Sequence, residues 1–94
     1  MSEFYVDESI SAQNTWSDGI SFAVGIFDLS ISGTFTATIT LQRSFNGGSS
    51  WHDVETFTQA VEAVVDNADN TVKWRIGVAT GDYTNGTAEV RLSQ

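Results

Sequence analysis

The chain has 94 residues, with four Lys or Arg against twelve Asp or Glu, a formal charge of −8 and no cysteine. That length predicts one domain around one core, with roughly 60–65% of the unfolded chain's surface buried on folding. The acidic balance disfavours nucleic acid and anionic membrane as partners, since neither offers such a chain an electrostatic gain. The lack of cysteine excludes disulfides and thiolate metal sites.

Hydrophobic residues make up 40% of the chain, six Phe, three Trp and two Tyr among them, while charged residues reach only 17%. Ser, Thr, Asn and Gly fill the gap, the composition of a β protein with a hydroxyl-coated surface. The N-terminal Met1-Ser2-Glu3-Phe4 has neither a basic region nor an apolar run. We therefore expect no signal peptide and no membrane span, and a protein made and kept in a cytoplasm or assembled there.

Residues 1–8 form an acidic arm around Phe4, Tyr5 and Val6. It is expected to be an edge strand or frayed end, or else an arm that docks on a neighbouring subunit. Residues 9–94 are expected to make a single β-sandwich domain. Ser9 to Gln13 reads as a short strand and Asn14 to Gly19 as a turn, with Trp16 folded back as a lid on the core. Ile20, Phe22 and Val24 alternate with Ser21 and Ala23 as a second strand, which Gly25 breaks. Phe27, Leu29 and Ile31 alternate with Asp28, Ser30 and Ser32 as a third, ending at Gly33.

Thr34 to Phe57 reads as one long hairpin. Ala37, Ile39 and Leu41 alternate with Thr36, Thr38, Thr40 and Gln42, the period of a half-buried strand. The chain reverses at Asn46-Gly47-Gly48-Ser49-Ser50 and Trp51 opens the return arm. Val61, Ala63 and Val65 share parity as a sixth strand, with a helical turn around 58–63 as competitor, and Asp66 to Asn70 is a polar turn. Val72, Trp74, Ile76 and Val78 form the clearest alternation. Gly81 to Gly86 reads as a loop, and Ala88, Val90 and Leu92 face inward on a closing strand. About seven or eight short strands with no helix predict an all-β antiparallel sandwich, of jelly-roll or Ig-like type. Outward charges at Lys73, Arg75, Glu89 and Arg91, together with the glycines, are expected to guard its edges.

Ser44 to Trp51 resembles the Asp-box, a hairpin signature in which Asn46 here replaces Asp and Ser50 replaces Thr. Its chemistry is structural: the Asn46 side chain caps turn amides, Gly48 takes a backbone shape closed to other residues, and Trp51 packs the hairpin's base. Ser44, Asn46, Gly48 and Trp51 are therefore read as a folding device. His52 stands beside Asp53, yet strand neighbours point to opposite faces, so no catalytic dyad is expected. Asp66, Asp69 and Asn70 lack the ordered spacing of a calcium loop. We expect no catalytic residue, no metal and no cofactor.

The segments LSISGTFTATITLQRSFNGGSSWHDVETFT and KWRIGVATGDYTNGTAEVRLSQ resemble a family of small β-sandwich structural proteins of tailed bacteriophages. The matching features are Ser32-Gly33-Thr34 before Thr38–Arg43, the Ser44–Trp51 turn, Trp74-Arg75-Ile76-Gly77-Val78 and Gly81–Thr87 followed by Val90-Arg91-Leu92-Ser93. The resemblance implies a virion component without enzymatic activity, foremost a capsid decoration or cement protein. It would bind the major capsid protein on the outer head surface as a homo-oligomer, trimer favoured; for such binding we expect main-chain pairing at a sheet edge or ordering of the arm around Phe4, Tyr5 and Val6. Two other expectations remain open: a glycan- or receptor-binding module of a tail or fibre, stacking sugars on exposed Trp16, Trp51 or Tyr83, and a neck or connector component.

Overall fold

The computed structural model describes residues 4–94, so Met1, Ser2 and Glu3 of the expected arm lie outside the described residues. Among those described there are nine strands and no helix. The first five are β1 (Tyr5–Ile10), β2 (Thr15–Trp16), β3 (Ile20–Ser21), β4 (Gly25–Ala37) and β5 (Ile39–Ser44). They are followed by β6 (His52–Phe57), β7 (Val61–Asn67), β8 (Lys73–Val78) and β9 (Tyr83–Ser93). Sheet A has the order β1-β9-β4-β7; sheet B runs β2-β8-β5-β6, with the short β3 also on β8. Every pairing is antiparallel. The fold is an antiparallel β-sandwich. Among the described residues no helix is long and apolar enough to cross a membrane.

Alternation explains which side chains fill the space between the sheets. Phe27, Leu29 and Ile31 from β4, and Val90 and Leu92 from β9, meet Ile39 and Leu41 from β5 and Trp74, Ile76 and Val78 from β8, all buried. Each such side chain contributes about 1.5–3 kcal/mol through burial. Phe22 stacks on Phe27 with centroids 4.5 Å apart, and Phe27 meets Trp74 edge-on at 4.9 Å. Val61, Ala63 and Val65 pack on the same core from β7, so the helical competitor there does not form.

The expected long hairpin is two structures. Its first arm belongs to β4 up to Ala37 and pairs with β9 in sheet A; from Ile39 it is β5 and pairs with β6 and β8 in sheet B. Thr38 is the corner, its N–H donating to Asp82 O at 2.8 Å. Phe35 and Ala37 before the corner and Ile39 and Leu41 after it pack on the core, so odd positions face inward through the change of sheets. Only Ile39 to Phe57 is a hairpin.

Gly33 does not end a strand either. It lies inside β4 with φ 103°, and a Cβ there would sit 2.4 Å from Thr87 O on β9. The glycine marks a close approach of backbones, not a turn. Likewise Asn85 and Gly86 lie in β9 opposite Thr36 and Phe35, and the reversal comes earlier, where Asp82 N–H donates to Ala79 O at 3.1 Å.

The chain from Ile20 to Val24 pairs with β8 only through Ile20 and Ser21. Phe22 then enters the core and Val24 emerges into solvent, because the chain is crossing between sheets. The Asn14–Gly19 turn contains β2, and the Ser9–Gln13 strand amounts to Ser9 and Ile10 at the end of β1. Lys73, Arg75, Glu89 and Arg91 guard no edge, for β8 and β9 are interior strands. The carboxylates on the edges are Asp7 and Glu8 of β1, Asp53 and Glu55 of β6, and Glu62 and Asp66 of β7.

Candidate interaction surfaces

The Ser44–Trp51 turn is held from within. Ser44 Oγ, fully buried, donates to Asn46 Oδ1 at 2.8 Å and accepts the Gly48 N–H at 2.8 Å. Asn46 Oδ1 also accepts the Ser50 N–H at 3.0 Å, and its Nδ2 donates to Ser50 Oγ at 2.8 Å. Gly47 and Gly48 take φ of 74° and 100°, which L side chains rarely adopt. These bonds satisfy the amides that a tight reversal leaves free.

Trp51 leaves this turn across the outer face of sheet B. There the Arg75 guanidinium lies between two indoles, 4.2 Å from the Trp16 ring centroid and 4.4 Å from that of Trp51. A planar, weakly hydrated cation suits such a slot. Arg75 Nε donates to Gln42 Oε1 at 2.8 Å, and Gln42 Nε2 donates to Asp53 Oδ1 at 2.7 Å, so a carboxylate balances the cation through one amide. Burial lowers the Arg75 pKa from its ordinary value, which is so high that the group stays charged. Trp16 sits over Gly77, where a Cβ would lie 2.2 Å from Thr15 O and 2.8 Å from the indole. Trp16 is thus no lid on the core; it is half of a clamp on the outside of sheet B.

The exposed rings that a sugar platform requires are not found at the three expected positions. Trp16, Trp51 and Tyr83 are all half-buried, and the Tyr83 hydroxyl donates to Gly86 O at 2.8 Å. His52 lies 5.8 Å from the Phe45 ring while Asp53 bonds Gln42, so the two side chains part as strand neighbours do. Asp69 Oδ1 accepts the Thr71 N–H at 2.9 Å and its hydroxyl at 2.7 Å, and these bonds hold the carboxyl below its ordinary pKa. No three His, Cys, Asp or Glu side chains come together as metal ligands among the described residues.

The outside of sheet A is different. At β1, Phe4 is 58% and Tyr5 46% exposed, and Arg91 lies 4.3 Å above the Tyr5 ring. Val6 turns inward and packs on the core, so of the expected interface triplet it is Phe4 and Tyr5 that face solvent. At the opposite edge Ile26 and Val64 stand in solvent, with Val24 just before β4. Asp7, Asp28, Glu62, Asp66 and Glu89 share this outer face with one cation, Arg91.

Asn67, expected in a polar turn, is buried at the end of β7. Its Nδ2 donates to Phe22 O at 2.9 Å and Ala23 O at 3.0 Å, and its Oδ1 accepts the Trp74 Nε1–H at 3.1 Å. It therefore ties sheet A to the indole of sheet B. The parity of Val61, Ala63 and Val65, carried two residues further, points Asn67 inward and was the available signal. Compared with family models, curated proteins and solved structures, the chain has no match.

Proposed function

We propose that this chain is a non-enzymatic virion structural protein, a capsid decoration protein that binds the major capsid protein on the outer head surface as a homo-oligomer, a trimer first. The resemblance of its strand and turn motifs to small tailed-phage structural proteins suggests the class. The observation that carries the reading is the exposure of Phe4, Tyr5, Val24, Ile26 and Val64 on the outer face and edges of one sheet. On the other sheet the Trp16–Arg75–Trp51 clamp covers the outside of β8, and exposed Phe45 and Val54 lie apart from it, in the turn after β5 and at the β6 bulge. Apolar side chains held in solvent on a rigid sheet are anchors for a protein surface. Many copies, each with a modest interface, would then stabilise a shell.

The test is an electron-microscopy map of the assembled particle, with the mass of the free protein in solution. Density for the chain on the outer head supports the reading. A ring at the neck, a position on the tail, or absence from particles overturns it. Truncating the arm would remove a strand paired along β9, so the interface is probed by Phe4→Ser with Tyr5→Ser. This pair is expected to lower capsid occupancy about tenfold with the fold intact.

A further inference from the structure

β7 pairs with β4 from Gly25↔Asn67 to Ile31↔Val61 with no register shift, and no described strand lies on its other side. Half the N–H and C=O groups of such a strand point away from the sheet, a template for another strand. The remaining free edges are blunted. β6 carries a bulge that leaves Val54 unpaired, β2 and β3 have two residues each, and Asp7-Glu8 occupies the middle of β1. The middle of β7 is Ala63-Val64-Val65, uncharged.

Beside this edge the outer face has an apolar rib in an acidic frame. Ile26 is 61% and Val64 63% exposed. The register sets Ile26 opposite Asp66 and Val64 opposite Asp28, which makes the two apolar residues diagonal neighbours, with Glu62 on the same face. An open depression of about 590 Å³ runs from Val64 and Glu62 across Asp28 to Arg91. Arg91, its one cation, already lies over Tyr5.

The geometry points to β7 as a docking edge for an extended segment of another protein, one that joins sheet A as a fifth strand and whose outward-facing residues, every second one, run Lys or Arg, apolar, Lys or Arg opposite Glu62, Val64 and Asp66. Main-chain pairing along β7 supplies affinity. On the outer face Val64, with Ile26 diagonal to it, receives the apolar side chain, and Glu62 and Asp66, with Asp28 beside Val64, receive the cations. A second copy of this chain is the wrong occupant. β7 against β7 gathers the Glu62 and Asp66 carboxylates of two copies that each carry −8, and like charges across a strand pair destabilise it. This inference goes beyond the virion reading and does not depend on it, since it concerns the chemistry of the edge alone.

The test titrates the isotopically labelled chain with a synthetic peptide matched in length to β7 that carries Lys, Val and Lys at every second position with Thr between them, and with its Glu-Val-Glu counterpart. Binding of the Lys peptide is expected to slow amide exchange in β7, to shift resonances of β7 and Ile26–Asp28, and to weaken as salt is raised. Val64→Lys, at a position already in solvent, is expected to weaken binding about tenfold with an unchanged circular dichroism spectrum, whereas Val54→Lys on β6 leaves it unaltered. Failure of the Lys peptide to bind overturns the assignment. So does equal binding of the Glu peptide, a footprint on β1 or β6, undiminished binding by Val64→Lys, or a concentration-dependent dimer with its footprint on β7.

Discussion

On the outside of sheet B two indoles flank the Arg75 guanidinium and one of them, Trp16, covers Gly77, whereas on the outside of sheet A Ile26 and Val64 stand in solvent between carboxylates. The two sheets share one core, and their inner faces alternate alike. The cations divide unevenly: Arg43, Lys73 and Arg75 belong to sheet B, Arg91 alone to sheet A. Sheet B spends its cations on its own aromatics, Arg75 on Trp16 and Trp51, and Arg43 at 5.1 Å from Phe45. Sheet A keeps Ile26 and Val64 side by side among carboxylates, whereas the exposed apolar residues of sheet B, Phe45 and Val54, are separate, one in the turn after β5 and one at the β6 bulge. A face that covers itself needs nothing further for stability; a face that leaves apolar ribs uncovered is the one to search for a partner.

The largest effect should come from closing the space that the clamp occupies. Gly77→Val places a side chain where backbone and indole already lie, within 2.2 Å of Thr15 O and 2.7 Å of Trp16 Cα, so β2 must leave β8. We expect a loss of about 3 kcal/mol or more in denaturant unfolding, with a changed tryptophan emission. A loss no greater than that of an ordinary surface change would mean that the indoles do not cover sheet B.

A matched pair of arginines comes next. Arg75 lies between two half-buried rings and bonds Gln42; Arg91 lies over the single, largely exposed Tyr5. Arg75→Ala is expected to cost about 1–2 kcal/mol, because packing and a cation–π sandwich go together, and Arg91→Ala to stay within about 0.5 kcal/mol. Equal losses in the same unfolding assay would erase the distinction between the faces.

Much of the sandwich is legible in residue order, because a strand buried on one face writes its period directly. Trp74-Arg75-Ile76 and Ala88-Glu89-Val90 are such strands, and the Ser44–Trp51 turn is legible because Asn and Gly are local instruments of reversal. The corner at Thr38 is not, since alternation passes through a change of sheet without a mark. Glycine misleads at Gly33 for a related reason: it is needed both where a chain turns and where a neighbouring backbone presses close. The surfaces are the least legible part. Arg75 reads as a solvated charge until Trp16 and Trp51 arrive from distant segments, and Asn67 as a turn residue until Trp74 and the Phe22 carbonyl close on it. Which strands are edges depends on strand order, which no local pattern contains.

The smallest effect sharpens the comparison most. Ile26→Thr with Val64→Thr keeps β-branched side chains at both positions and replaces an ethyl and a methyl that already face water by hydroxyls. Were these residues part of an outer layer like that of sheet B, the pair would cost as much as Arg75→Ala. As a bare rib they should cost under about 1 kcal/mol together, the most that a diagonal apolar contact and the exposed ethyl and methyl supply. The same double variant should nevertheless lose affinity for the Lys-bearing peptide, since the rib is what that peptide's apolar side chains meet. Stability kept and binding lost would separate a surface made for a partner from one made for the fold.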